Sequence, residues 1–300
     1  MFAAEADRAG LVKSLQTPQG RYAMLALDQR ESLRAMYSRS DDGEFAGDNE
    51  LREFKKLGAA VLSPFATAVL LDRPFGLEST RPKGIAPTCG LIVAVDVLHQ
   101  ISGQAITSVT FDELVTPELL ADVRADAIKV LVLWQRNSGK KERAELVKRT
   151  IALAHEAGVA SLVEGIVRPD GADGVWSSPA ERHDAILACA AELSAFGPDI
   201  YKAEVPGYIP GDVSQVAEQS AQLSAIVGCD WVVLSNGVER TFFEAAVTEA
   251  MRGGASGFLA GRAIWADAVA EADIPSALQD RSIDRLKRLR EIVDSVEREV

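Results

Sequence analysis

The sequence is short of long apolar runs, cysteine, histidine and positive charge. No stretch of roughly 18 apolar residues occurs, so no transmembrane helix is expected. Met1 to Gly10 holds Glu5 and Asp7 and lacks an apolar signal core, so no secretion signal is expected either. The three cysteines, Cys89, Cys189 and Cys229, are scattered and odd in number. That pattern argues against a disulfide framework and for small buried thiols in a reducing, cytoplasmic setting. The three histidines, His99, His155 and His183, show no metal-ligand spacing, which argues against a zinc-dependent mechanism. A net charge of -12 and a pI near 4.9 argue against nucleic acid and anionic membrane as partners. No internal repeat is evident, and no linker marks a second domain, so residues 1–300 read as one domain.

The 300 residues are 47% hydrophobic and 25% charged, a composition that supports a large core. Strand-like apolar runs alternate with helical patterns along most of the chain. The strand runs are 21–30, 59–66, 90–96, 127–134, 160–167, 199–206, 231–237 and 257–265. Helical patterns cover 2–16, 49–57, 117–125, 141–157, 179–196, 213–227, 241–252 and 282–300, with Gly158 as a C-terminal cap. Residues 38–49 read as a loop, and 170–174 as a loop able to fold over a site. Eight strands alternating with helices over about 250 residues predict a (β/α)8 TIM barrel, here with an extra N-terminal helix. A doubly wound open sheet would carry a glycine-rich dinucleotide loop after an early strand. The first strand here ends instead in Asp28-Gln29-Arg30.

The sixth strand is the most informative. Tyr201, Ala203 and Val205 fall on one face, and Ile200, Lys202 and Glu204 on the other. An edge strand with a solvated polar face would account for this octapeptide alone. Inside a closed barrel the lysine would be desolvated, and a neutral amine attacks ketones to form Schiff bases. The seven other strands favour the barrel. Its active site would lie at the C-terminal strand ends. Asp28, Gln29, Arg30, Lys129, Glu164, Lys202, Glu204, Ser235, Asn236, Gly237, Gly261 and Arg262 collect at or near those ends. Glu164 with Lys202, and Lys129 with Asp28, could be buried salt bridges. Several such pairs in one barrel are better read as a site, because desolvation costs several kcal/mol per ion. Gly237 and Gly261 would let backbone N–H groups approach a phosphate, and Arg262, inside an apolar strand, would need an anionic partner.

The stretches 23–31, 129–134, 201–206, 231–238 and 254–265, with Glu164 and Val167-Arg168-Pro169, resemble the class I, Schiff-base aldolases that include tagatose-1,6-bisphosphate aldolase. Within that family the motifs are most similar to the sulfofructose-phosphate aldolases of sulfoquinovose breakdown. Gly165 stands where that group has proline, and Asn236 where it has serine. The resemblance implies Lys202 as the Schiff-base lysine and Glu164 as the proton-handling carboxylate. Lys129 and Asp28 join them as catalytic residues, with Lys129 disfavouring charge on Lys202 by repulsion. Gln29 lines the same pocket. Ser235, Asn236, Gly237, Gly261 and Arg262 fall at the phosphate site. Arg30, Ser63, Lys83 and Arg168 are candidates for the distal anion. The implied reaction is cleavage of 6-deoxy-6-sulfofructose 1-phosphate to dihydroxyacetone phosphate and sulfolactaldehyde, without metal or cofactor, in a cytoplasmic homo-oligomer (dimer or tetramer). Tagatose or fructose 1,6-bisphosphate cleavage is the alternative, and a non-catalytic sugar-phosphate sensor is a further one.

Overall fold

The structure is a computed structural model, described here for residues 10–37, 43–170 and 174–296. Residues 2–9 of the expected N-terminal helix, 38–42 and 171–173 of the two expected loops, and 297–300 of the closing helix lie outside these ranges. Eight parallel strands close into a barrel. They are β1 (Tyr22–Ala26), β2 (Ala68–Asp72), β3 (Gly90–Ala94), β6 (Ala127–Trp134), β7 (Ala160–Val167), β8 (Ile200–Ala203), β9 (Asp230–Val233) and β10 (Gly257–Ala260). Closure comes from β1 pairing with both β2 and β10. Two further strands, β4 (Asp96–His99) and β5 (Ser108–Phe111), form an antiparallel hairpin in the connection that leaves β3.

Two-residue alternation divides each barrel strand between two apolar layers. The outward layer, with Val93, Val130, Val163, Tyr201 and Phe258, packs under helices such as Lys140–Ala157 and Pro179–Ser194. The inward layer, with Met24, Leu70, Ile92, Leu162, Ile200, Val232 and Leu259, fills the lower barrel. Leu15, from the turn Lys13–Leu15, joins that inner layer and is fully buried.

Two expectations are corrected, and one element was not foreseen. Residues 59–66 are not the second strand: helix Asp48–Leu62 runs on into a turn over Ser63–Phe65, and the strand follows at Ala68. Apolar residues lie on both sides of Ser63-Pro64, with Thr67 the only polar residue between Phe65 and Leu71, so periodicity could not choose between the two segments; Pro64, second in the turn, marks the true boundary. The eighth strand stops at Ala260, and Arg262 opens a short helix, Arg262–Trp265, rather than standing within a strand. The β4–β5 hairpin was not foreseen. Its strands are only four residues each and half exposed, too short and mixed for a clear apolar signal.

Candidate active site

The register aligns Leu131 with Glu164 across β6 and β7, and Glu164 with Lys202 across β7 and β8. Lys129, Glu164 and Lys202 therefore share the inward face, above the apolar layer. All three are buried, as is Asp28 just past β1. Lys202 Nζ lies 3.1 Å from Glu164 Oε1, and Lys129 Nζ lies 2.8 Å from Glu164 Oε2. Lys129 also donates to Asp28 Oδ2 at 2.8 Å and to Asp96 Oδ2 at 3.2 Å. Both salt bridges read from the sequence are present, joined through one carboxylate. The bare repulsion expected between the two lysines is not what the geometry has, because Glu164 stands between them.

The electrostatics follow from burial and neighbours. Burial pushes the Asp28 and Glu164 carboxyls up, but Lys129 and Lys202 more than offset it and hold both below the usual carboxylate range. Burial pulls the Lys129 ammonium down, yet Asp28, Asp96 and Glu164 hold it well above the ordinary lysine value. At neutral pH the site therefore keeps ionised carboxylates around a fixed cation. Glu164 is an unprotonated base within reach of the Lys202 amine.

A cavity of about 580 Å³ opens above this cluster, at the C-terminal ends of the strands. Asp28, Gln29, Lys129, Glu164, Lys202, Asn236 and Arg262 line it, with Arg168 and Glu204. Gln100, Gln104 and Ile106 line it from the hairpin, and Trp176 from the loop beyond β7. Arg262 donates to Asn236 Oδ1. Burial lowers its guanidinium from the ordinary value, only partly opposed by Glu164 and Asp28. Arg168 donates to the Ile106 carbonyl at 3.2 Å. Among the described residues, neither Arg168 nor Arg262 has a carboxylate within ion-pair reach. Gln29 Oε1 is buried without a hydrogen-bond partner.

The remaining site residues distribute unevenly. Ser235 and Gly237 belong to the loop after β9 that carries Asn236, and Gly237 takes a left-handed φ of 77°. Gly261 is packed too closely for any side chain, since a Cβ there would lie 2.4 Å from the Ala26 carbonyl oxygen. Arg30 does not line the cavity. Its guanidinium is turned away into Asp96, at 3.1 Å, and Asp72, at 3.4 Å. Ser63 and Lys83 precede β2 and β3, so they sit at the N-terminal end of the barrel, opposite the cavity. Of the four distal-anion candidates only Arg168 lies at the site. Sequence reading passed over Asp96, an aspartate closing an apolar strand run just as Asp28 does. It also passed over the pair Arg182–Glu204, at 2.9 Å, whose carboxylate further accepts from the Val167 amide.

A closed parallel barrel with a buried lysine–carboxylate cluster at its mouth is an arrangement suited to breaking carbon–carbon bonds, and the comparisons agree. Residues 22–267 match the DeoC/LacD family aldolase, and the chain belongs to that family. It is a class I aldolase, a carbon–carbon lyase, which sets aside the sensor reading. Tagatose 1,6-diphosphate aldolase of Listeria monocytogenes is 27% identical, over 86% of this chain and 81% of the relative. Tagatose 1,6-diphosphate aldolase 2 of Streptococcus pyogenes is 25% identical, over 83% of this chain and 82% of the relative. Among solved structures, fructose-bisphosphate aldolase of Plasmodium falciparum matches 99% of this chain and 97% of its own, with a TM-score of 0.71 at 13% identity. An archaeal fructose 1,6-bisphosphate aldolase matches 95% and 98%, with a TM-score of 0.62 at 14% identity. At such identities these two likenesses show the fold. No helix among the described residues is long and apolar enough to cross a membrane.

Proposed function

We propose that this chain cleaves a phosphorylated ketose through a Schiff base on Lys202. The observation that carries the reading is the buried contact of Lys202 Nζ with Glu164 Oε1 at 3.1 Å, beside the fixed Lys129 cation. The neutral Lys202 amine adds to the C2 ketone, and Glu164 handles the protons as water leaves to give the imine. The protonated imine then accepts the electron pair of the C3–C4 bond. Glu164, directly or through a water, takes the C4 hydroxyl proton as that bond breaks and the aldehyde departs. The enamine gains a proton at C3, and hydrolysis returns the free lysine and dihydroxyacetone phosphate. Lys129 and Asp28 hold the charge pattern around Glu164. Gln29, Asn236 and Arg262, with the backbone at Ser235, Gly237 and Gly261, bind the phosphate.

A second anionic group on the substrate is supported by Arg168, a second guanidinium at the cavity that has no carboxylate partner among the described residues. The motif resemblance favours a sulfonate there, making 6-deoxy-6-sulfofructose 1-phosphate the substrate. The names of the curated relatives favour a phosphate, as in tagatose 1,6-bisphosphate. The chain acts as one aldolase domain and assembles as a homo-oligomer.

The test pairs dihydroxyacetone phosphate with sulfolactaldehyde or with glyceraldehyde 3-phosphate and follows its consumption. Consumption with sulfolactaldehyde alone is the expected result; preference for glyceraldehyde 3-phosphate moves the assignment to the bisphosphate. Borohydride trapping of dihydroxyacetone phosphate should label the wild-type chain and fail in Lys202→Met. Persistent labelling in that variant overturns the lysine assignment.

A further inference from the structure

Asp96 opens β4 behind the cavity and is 1% exposed. Its Oδ2 accepts from Lys129 Nζ at 3.2 Å and from the Leu131 amide at 2.9 Å. Its Oδ1 accepts from Arg30 Nη2 at 3.1 Å. Arg30 Nε lies 3.4 Å from Asp72 Oδ2, and the other Asp72 oxygen pairs with Lys55. A line of alternating charge thus runs from Lys202 through Glu164, Lys129, Asp96, Arg30 and Asp72 to Lys55. Asp96, Arg30, Asp72 and Lys55 do not line the cavity. Buried ion pairs are weak evidence for stability, because apolar residues often serve a fold as well. A string of four such residues ending on the cation beside Glu164 needs another reason.

We propose that Asp96, backed by Arg30, is a positioning residue of the aldol chemistry: it seats the Lys129 ammonium against Glu164 and thereby sets how readily the Glu164–Lys202 pair exchanges protons. The inference rests on the Schiff-base reading above. Lys129 is faced by Asp28 from the end of β1, by Asp96 from β4 and by Glu164 from β7. Lys202 from β8 and Arg30 lie one contact further out, and Arg262 acts on Asp28 and Glu164 from beyond β10. Every one of these groups feels the charge on Asp96. Removing that anion makes each neighbouring proton easier to lose. Removing the Arg30 cation does the reverse.

The opposed signs give the test, which is the pH dependence of kcat/KM for cleavage in Asp96→Asn, Arg30→Gln and Arg30→Lys. Asparagine keeps the shape and an oxygen for the Leu131 amide. In Asp96→Asn the profile should move toward acid by about one pH unit. Its kcat should fall about tenfold or more while KM stays within about twofold. In Arg30→Gln the profile should move toward alkali, and Arg30→Lys should return it toward wild type. A purely structural role would lower activity in both neutral variants without opposite displacements. Profiles that stay in place, or move the same way, overturn the inference. Should Asp96→Asn not fold, an Arg30→Gln profile without an alkaline shift overturns it alone. Trapping separates the two failures. Labelling that persists in Lys202→Met sinks the underlying reading; labelling lost there, with unmoved profiles, sinks only the role of Asp96.

Discussion

Replacing Lys129 by methionine removes the central cation of the site and leaves a side chain of similar length. Three carboxylate oxygens stand within 3.2 Å of Lys129 Nζ. After the change Asp96 still has Arg30 and the Leu131 amide, and Glu164 still has Lys202. Among the described residues Asp28 has no ion pair besides Lys129, so it bears most of the cost. Breaking a buried pair by removing one partner costs about 3–5 kcal/mol. That cost depends on pH in a definite direction. In the variant the Asp28 carboxyl stays buried but loses the largest of the charges that hold it down, and its folded pKa should rise past its unfolded one. The penalty is therefore full at alkaline pH and is relieved as pH falls and Asp28 takes up a proton. Urea unfolding followed by tryptophan fluorescence at pH 8 and pH 5.5 should show a large deficit against wild type at pH 8 and a smaller one at pH 5.5. Aldol cleavage should fall by about 10²-fold or more, because Glu164 loses the larger of the two charges that keep it ionised. Wild-type stability at pH 8, or a deficit that does not shrink on acidification, would refute the reasoning.

Two further outcomes follow from the same geometry. Gly261→Ala puts a methyl against the Ala26 carbonyl, which cannot yield without moving β1; about 1–3 kcal/mol of stability should be lost, together with affinity for dihydroxyacetone phosphate, read by thermal melting and KM. In the wild-type chain, Asp28 and Glu164 have depressed folded pKa values, so their pairing stabilises the fold above about pH 4 and is lost as pH falls below it. Lys129 has a raised one, so its share is full below about pH 10 and is lost as pH rises beyond. Denaturant midpoints across pH should show a plateau from these three groups between those limits; a fall centred near pH 7 would contradict it.

The fold was legible where apolar runs were bounded by clear breaks. The strands at 127–134 and 160–167 coincide with β6 and β7 residue for residue. It was illegible where apolar segments of two elements followed one another closely, as on either side of Ser63-Pro64 within 59–72. Two-residue alternation was enough to turn Lys129, Glu164 and Lys202 inward. It could say nothing of partners across the barrel. Arg30 looked like a ligand contact because its counter-ions, Asp72 and Asp96, lie 42 and 66 positions along the chain and meet it only once the barrel closes. The same non-locality hid the Arg182–Glu204 pair and kept Asp96 from being noticed.

Among the described residues the inward apolar layer, with Leu15 at its N-terminal end, fills the lower barrel, and the cavity opens at the C-terminal strand ends. Both halves of a cleaved sugar must leave by the way the whole one came. On the Schiff-base reading the half held on Lys202 cannot depart first. The free aldehyde vacates the passage, and the water that releases the second half enters through the space it leaves. On that reading the covalent bond to Lys202 sets the order of departure, and the packed floor on the far side of the barrel makes both products and the entering water share the same passage.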